Sequence, residues 1–313
     1  MKKFNLCMLI ASVFSLFSSA IMAQQIGEQA GYYHLPIGDV EVIAISDGTV
    51  PVSASGLLNH DERIPELLKK DFLSDTVETS INTYLIKTGK SLILVDAGSG
   101  NLFGPVHGGA LVSSLEKAGF KPEEVTDILI THIHLDHTGG LSSDGRMIFP
   151  NAIIHINQKE IDFWQSHEKP DHSDTRGIIS NRKSYLNFKP YLQAGKVRSF
   201  QRDTTLFPGI STHEYAGHTA GHTVYELQSK GQRLLFWGDL IHVASIQFSD
   251  AGILNEYDFD KLKAAAQRKK AYAEAANSEC IIAADHISFP GIGHIRQVAT
   301  GYVWVPINYQ TGK

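Results

Sequence analysis

The stretch "ILITHIHLDHTGG", Ile128 to Gly140, carries an apolar, β-branched run directly into three histidines and an aspartate. A chain built this way must end a buried strand on a polar centre. Asp136 stands among His132, His134 and His137, and a carboxylate withdrawn from water beside imidazoles is costly unless it coordinates or accepts hydrogen bonds. The pattern asks for a metal centre, and for a fold that delivers further ligands to the end of this strand.

Three later segments offer them: "GHTAGHT" (217–223), "WGDL" (237–240) and "ADHISFPGIGHIR" (284–296). Each puts histidine or carboxylate just past an apolar run or at a glycine-flanked turn, so residues distant in sequence can meet along one sheet edge. Neutral imidazoles and carboxylates suit a pair of borderline metals. One ion would take His132, His134 and a histidine of "GHTAGH", the other Asp136, His137 and His286. Asp239 is placed to bridge them, since its two oxygens can hold two cations a few ångströms apart.

The rest of the chain sets the frame. Val40–Ser46, Asn82–Lys87 and Ser91–Val95 are short β-type runs, the last two joined by the turn signal "TGK". "ALVSSLEKAGF" reads as an amphipathic helix ending at Gly119, followed by strand "DILIT", the histidine-rich loop, strand Ala152–Ile156 and helix "QKEIDFWQS". Glu168–Pro190 is polar without a clear period and is expected to be a lid or binding loop. Arg233–Trp237 reads as a buried strand, "DFDKLKAAAQRKKAYAEAA" as the longest helix with Asp258 or Asp260 at its N-cap, and "CIIAA" as the last core strand. Strands and helices alternate without a strict βαβ rhythm. That favours an α/β (α+β) chain with two sheets sandwiched between helices over a doubly wound parallel sheet.

Residues 1–23 form a short basic region, an apolar stretch and a small-residue end near Ala23, which reads as an export signal leading to the periplasm or the medium. The apolar stretch is shorter than a membrane span requires. Residues 24–313 then form a single domain, and the 42% hydrophobic content supplies an ample core. Cleavage removes Lys2 and Lys3 and no acidic residue, taking the formal charge from −5 to −7. A mildly acidic protein has no electrostatic case for nucleic acid or an anionic membrane. Cleavage also removes Cys7, so Cys280 has no internal partner and reads as a buried core thiol.

"HIHLDH", then "GHTAGH", then "GD", then a late histidine resembles the metallo-β-lactamase superfamily. "GYYHLPIGDVEVIAISDGTV", "LFGP", "KEIDFW", "GDLIHVASIQF" and "SFPGIGHIR" are similar to its exported branch of methyl parathion hydrolases and lactonases. The resemblance implies a four-layer αββα sandwich with a dinuclear site on one edge, held by His132, His134, Asp136, His137, His222, Asp239 and His286. In "GHTAGH" it assigns His222 to the metal and leaves His218 a supporting role. The aspartate-histidine pair separates the chain from the common zinc β-lactamases, which lack it, and His134 from the flavodiiron proteins. The short segment after His286 leaves no room for the helical substrate domain of glyoxalase II-type enzymes.

The implied cofactor is two divalent ions per chain, zinc first, with manganese, iron or cobalt also accepted by such ligands. Two such ions lower the pKa of a bridging water enough to hold hydroxide near neutral pH. Asp136 and Asp239 would surround that hydroxide, and either could pass a proton to the leaving group. Phe103, Trp164, Ile178, Ile179 and Phe289 are candidates for an apolar, uncharged pocket, which suits neutral substrates better than anionic phosphodiesters. His242, three residues past Asp239, would donate a hydrogen bond to a carbonyl or leaving oxygen. The expectation is hydrolysis of small lactones or aryl esters, with neutral phosphotriesters as a side activity. The alternatives are a primary methyl parathion hydrolase-type phosphotriesterase and a mononuclear iron redox enzyme on the same fold. Self-association as a homodimer is left open.

Overall fold

Apolar residues on neighbouring strands alternate between two different cores, so each sheet must be covered on both faces. In the N-terminal sheet Ile43, Ile45, Leu85, Leu94 and Ile128 pack toward helices, while Val42, Ala44, Ile86, Ile93 and Val95 pack toward a second sheet. The computed structural model describes residues 29–166 and 178–311, without the side chains of 178–183. The expected export signal, residues 168–177 of the expected lid, and the Ile178 and Ile179 side chains lie outside the described residues.

The first sheet has seven strands in chain order: β1 (Tyr32–Ile37), β2 (Val40–Ser53), β3 (Thr76–Thr88), β4 (Ser91–Val95), β5 (Asp127–Leu129), β6 (Ile153–Asn157) and β7 (Val197–Phe200). The second also has seven in chain order: β8 (Thr205–Phe207), β9 (Ile210–Glu214), β10 (Thr223–Ser229), β11 (Gln232–Phe236), β12 (Ile281–Ala283), β13 (Ile292–Gln297) and β14 (Tyr302–Pro306). Pairing is parallel from β4 through β7 and between β11 and β12, and antiparallel elsewhere. Parallel neighbours need long crossovers, and those crossovers supply the outer layers. Leu111–Lys117, Gln158–Ser166 and Ile178–Gln193 cover the first sheet, and Lys261–Ser278 covers the second. The result is the four-layer αββα sandwich.

Two expectations change, and the choice of N-cap for the long helix is decided. Ile178–Pro190 is helical, not loop: Tyr185, Phe188 and Tyr191 form an aromatic stripe at spacing three that is buried against the first sheet. The polar residues between them and Pro190 hide that period. "CIIAA" is not the last core strand, because β13 and β14 follow it and bury Ile292 and Ile295. Gly293 lets β14 close over β13, since a Cβ there would lie 2.6 Å from the Trp304 ring. At the helix start Asp260 is the N-cap, accepting from the Lys263 N–H at 3.0 Å, while Asp258 faces inward. Cys280 is buried, as its apolar surroundings imply.

Arg268 ties the long helix to the loops beneath it. It is 1% exposed, and its guanidinium donates to the carbonyls of Leu240 (2.7 Å), Ala251 (3.2 Å) and Ile253 (2.9 Å) and to Asp258 (3.3 Å). Removing one partner of a buried ion pair strands the other. Arg268→Met should therefore lower unfolding free energy by about 3–5 kcal/mol in urea titrations; a loss below ~1 kcal/mol would show that water replaces the guanidinium.

Candidate metal centre

The loops at the carboxyl ends of β5, β11 and β12 and the turn between β9 and β10 meet at one edge of the sandwich. His132, His134, Asp136 and His137 follow β5, with Leu135–Thr138 coiled into a single helical turn. Asp239 follows β11, Asp285 and His286 follow β12, and His218 lies in the turn. Gly238 makes the approach possible. It has φ +53°, and a Cβ there would lie 2.9 Å from both His222 Nε2 and Thr131 Oγ1.

Asp239 is at the middle, 3% exposed. Its Oδ2 lies 3.0 Å from His218 Nε2 and 3.6 Å from His132 Nε2. Its Oδ1 lies 3.0 Å from His137 Nε2 and 3.1 Å from His286 Nε2. Each oxygen thus faces a different set of imidazoles. His134 Nδ1 completes the first set, 2.9 Å from His132 Nε2 and 3.0 Å from His218 Nε2. Asp136 completes the second, its Oδ2 3.5 Å from His286 Nε2 and 3.7 Å from His137 Nε2.

These donors fit metal ions. His137 Nε2, His286 Nε2 and Asp239 Oδ1 are buried without a hydrogen-bond partner although they lie close together. Atoms that are near but not aligned for hydrogen bonds are converging on a common centre. On His132, His137, His218 and His286 the opposite ring nitrogen is held from behind, the arrangement that orients metal-binding imidazoles. His132 Nδ1 lies 3.0 Å from Thr131 Oγ1, His218 Nδ1 2.8 Å from Asp258, and His286 Nδ1 2.9 Å from the Ser80 carbonyl. His137 Nδ1 lies between two buried carboxylates, 2.9 Å from Asp96 and 3.2 Å from Asp285. Asp96 also accepts from the Thr131 N–H and hydroxyl, so one carboxylate backs both His132 and His137.

In this structure His218, rather than the expected His222, is grouped with His132, His134 and Asp239. The turn is bonded to the start of the long helix through Phe259 N–H···O His218 and Asp260 N–H···O Gly217, which aims the His218 ring at the centre. His222 directly precedes β10, and its Nε2 accepts the Asp239 N–H at 3.1 Å. It therefore holds the Asp239 backbone from behind.

Burial and neighbouring charge set the protonation pattern. Burial holds His132 well below its ordinary value and His134 and His222 at about 3. Burial also opposes charging at His218 and His286, but the Asp239 carboxylate overrides it and lifts both to about 9. For Asp239 burial alone would raise the value, and the charges of His137, His286 and His242 hold it well below the carboxylate range. Burial raises Asp285 to about 8.

His242 is 6% exposed, with Nε2 3.0 Å from Asp239 Oδ2. Asn255 Oδ1 accepts from the Tyr257 N–H, so its Nδ2 faces His242 Nδ1 at 3.0 Å and donates to it. That fixes the His242 proton on Nε2, toward the carboxylate. Among the expected pocket residues, Trp164 is 5% exposed and belongs to the helix-facing core, with its ring centroid 6.3 Å from that of His134. Phe289 packs against the inter-sheet core, and Phe103 is half-buried in the loop after β4, its ring near Gly108. Asp96, Thr131, Glu160 and Asn255 were not singled out from sequence, and Asp258 was named there only as a helix cap. Only Asp96, breaking a strand at "VDAG", carries a local signal.

Two measurements follow. His218→Ala should lose more metal than His222→Ala when both are dialysed against a weak chelator, and equal loss would return His222 to the ligand set. In the metal-free protein His218 and His286 keep protons below about pH 9, and a metal must displace them. Apparent metal affinity should therefore rise with pH through about 9, with proton release measurable by calorimetry in buffers of different ionisation enthalpy. Binding at pH 7 without proton release would contradict this pattern.

The model of the metallo-beta-lactamase superfamily matches residues 76–283. A solved structure described as hydrolase AbOPH in the beta lactamase superfamily is 36% identical, covers 91% of this chain and 100% of its own, and superposes with a TM-score of 0.84. AidC, described as a dizinc quorum-quenching lactonase in complex with its product, is 28% identical over 90% of this chain and 99% of its own, with a TM-score of 0.82. An N-acyl homoserine lactonase of Bacillus cereus is 28% identical over 172 residues, 49% of this chain, which spans 60% of that relative's length. With the family model covering both central ligand loops and the sandwich superposing throughout, the chain belongs to the metallo-beta-lactamase superfamily of hydrolases.

Proposed function

We propose that this protein is a dinuclear metal-dependent hydrolase of small neutral lactones or aryl esters, with phosphotriester hydrolysis as a side activity. The observation that carries it is Asp239, whose two oxygens face two separate sets of imidazoles and whose Oδ1 has no hydrogen-bond partner. The likeness to AidC supports the lactone class. Two divalent cations held there would supply Lewis acidity toward a carbonyl or phosphoryl oxygen and would acidify a water.

The chain's own residues do the rest. Asp136, with a side chain 24% exposed, is the most open carboxylate of the group. It is placed to carry a proton to the leaving oxygen. His242 presents its Nε2–H at Asp239 Oδ2, so a substrate oxygen reaching that carboxylate meets the same donor. A donor of this kind is worth about 2–4 kcal/mol when aligned in the transition state.

A panel of lactones, aryl esters and phosphotriesters, run on protein of measured metal content, tests the proposal. Two colourless ions per chain with lactone or ester turnover support it; a single iron would favour the redox alternative. His242→Leu should cut lactone or aryl ester kcat/KM by roughly ten- to a thousandfold at matched metal content. Phosphotriesters with good leaving groups need no such donor and should hold or rise. A parallel fall of both activities would reduce His242 to a support for Asp239.

A further inference from the structure

Glu160 is 0% exposed, with all three of its hydrogen bonds coming from N–H donors. Its Oε2 accepts from the Ile133 backbone at 2.9 Å and, at a longer 3.4 Å, from the Trp164 indole. Its Oε1 accepts from the Gly221 backbone at 2.6 Å. Ile133 lies between His132 and His134, and Gly221 lies in the turn that carries His218. A single buried carboxylate therefore joins the two segments that supply one half of the centre. The Thr223 N–H to the Thr131 carbonyl, 3.0 Å, ties the same segments at their other end.

The other half is braced differently. His137 rests on Asp96 and Asp285, and His286 on the Ser80 carbonyl. None of these contacts passes through Glu160.

We propose that Glu160 is the positioning residue for the half of the centre formed by His132, His134 and His218, and that the half formed by Asp136, His137 and His286 is independent of it. The inference rests on the two-ion reading given above. Its physical basis is donor complementarity: both oxygens of the carboxylate meet backbone N–H groups, so each must accept. A glutamine in the same place turns an NH2 toward one of those N–H groups, at 2.6 or 2.9 Å, and must release it. One release falls between His132 and His134 and the other in the turn that carries His218, whereas the helical turn with Asp136 and His137 is held separately by the Ala97 N–H on the His137 carbonyl.

The test is metal binding, measured apart from turnover. Wild type and Glu160→Gln, each stripped and reloaded with zinc or cobalt, are titrated against a chromophoric chelator, with ions per chain counted by mass spectrometry. Supporting-residue changes typically cost ten- to a hundredfold in metal affinity. Glu160→Gln should lose about that much for one ion and keep the other at wild-type strength. In the Glu160→Gln background His218→Ala should add little, whereas His286→Ala should remove the remaining ion.

Glu160→Asp keeps the carboxylate but is too short to reach both amides, so it should weaken the same ion and gives the reading if Glu160→Gln does not fold. Equal weakening of both ions, or none, overturns the proposal. Wild type that binds fewer than two ions overturns the two-ion reading itself, whatever the variants do.

Discussion

A carboxylate almost sealed from water, with imidazole nitrogens of four histidines within 3.1 Å, is the constraint on which the site depends. Asp239 cannot be left uncompensated in that environment. Its charge in turn pulls the neighbouring imidazoles of His137, His218 and His286 toward their protonated forms. The supporting residues follow from this need. Asp258, Asp96, Asp285 and the Ser80 carbonyl hold the rings of His218, His137 and His286 from behind, so each turns one nitrogen toward Asp239.

The ligand clusters were legible because each one interrupts an apolar run. A strand that ends in "HIHLDH", "GD" or "DH" breaks its own pattern, and the breaks mark the carboxyl ends of β5, β11 and β12. The two-sheet sandwich was legible for a related reason, since runs such as "SLILV" are apolar on both faces. The placement of His218 beside His132 and His134 was not legible from spacing. It is made by backbone bonds from Phe259 and Asp260, forty residues away in the chain and set only when the long helix docks. Glu160 was invisible because its partners are backbone amides, which leave no trace in sequence. The helix Ile178–Gln193 was missed because its buried stripe is aromatic and sparse among polar residues.

The surface around the centre is uneven in a way that bears on substrate. Asn255 and Asp258 point inward to His242 and His218, while Tyr257 and Phe259 on the same loop are 63% and 67% exposed. Phe259 meets Phe163, which in turn meets Trp164. The loop that braces the polar centre thus turns an aromatic face outward, and changes in that face can be made without altering the hydrogen bonds beneath it.

Each sheet is contiguous in sequence, one ending at Phe200 and the other beginning at Thr205. The first part carries His132, His134, Asp136 and His137, and the second His218, Asp239 and His286. Cys280 is the free cysteine among the described residues, so no covalent cross-link joins the parts there. Severed between Phe200 and Thr205, the chain would become two polypeptides that share an apolar face and divide one set of ligands. Their reassociation would then respond to metal concentration, giving the scaffold the logic of a split reporter.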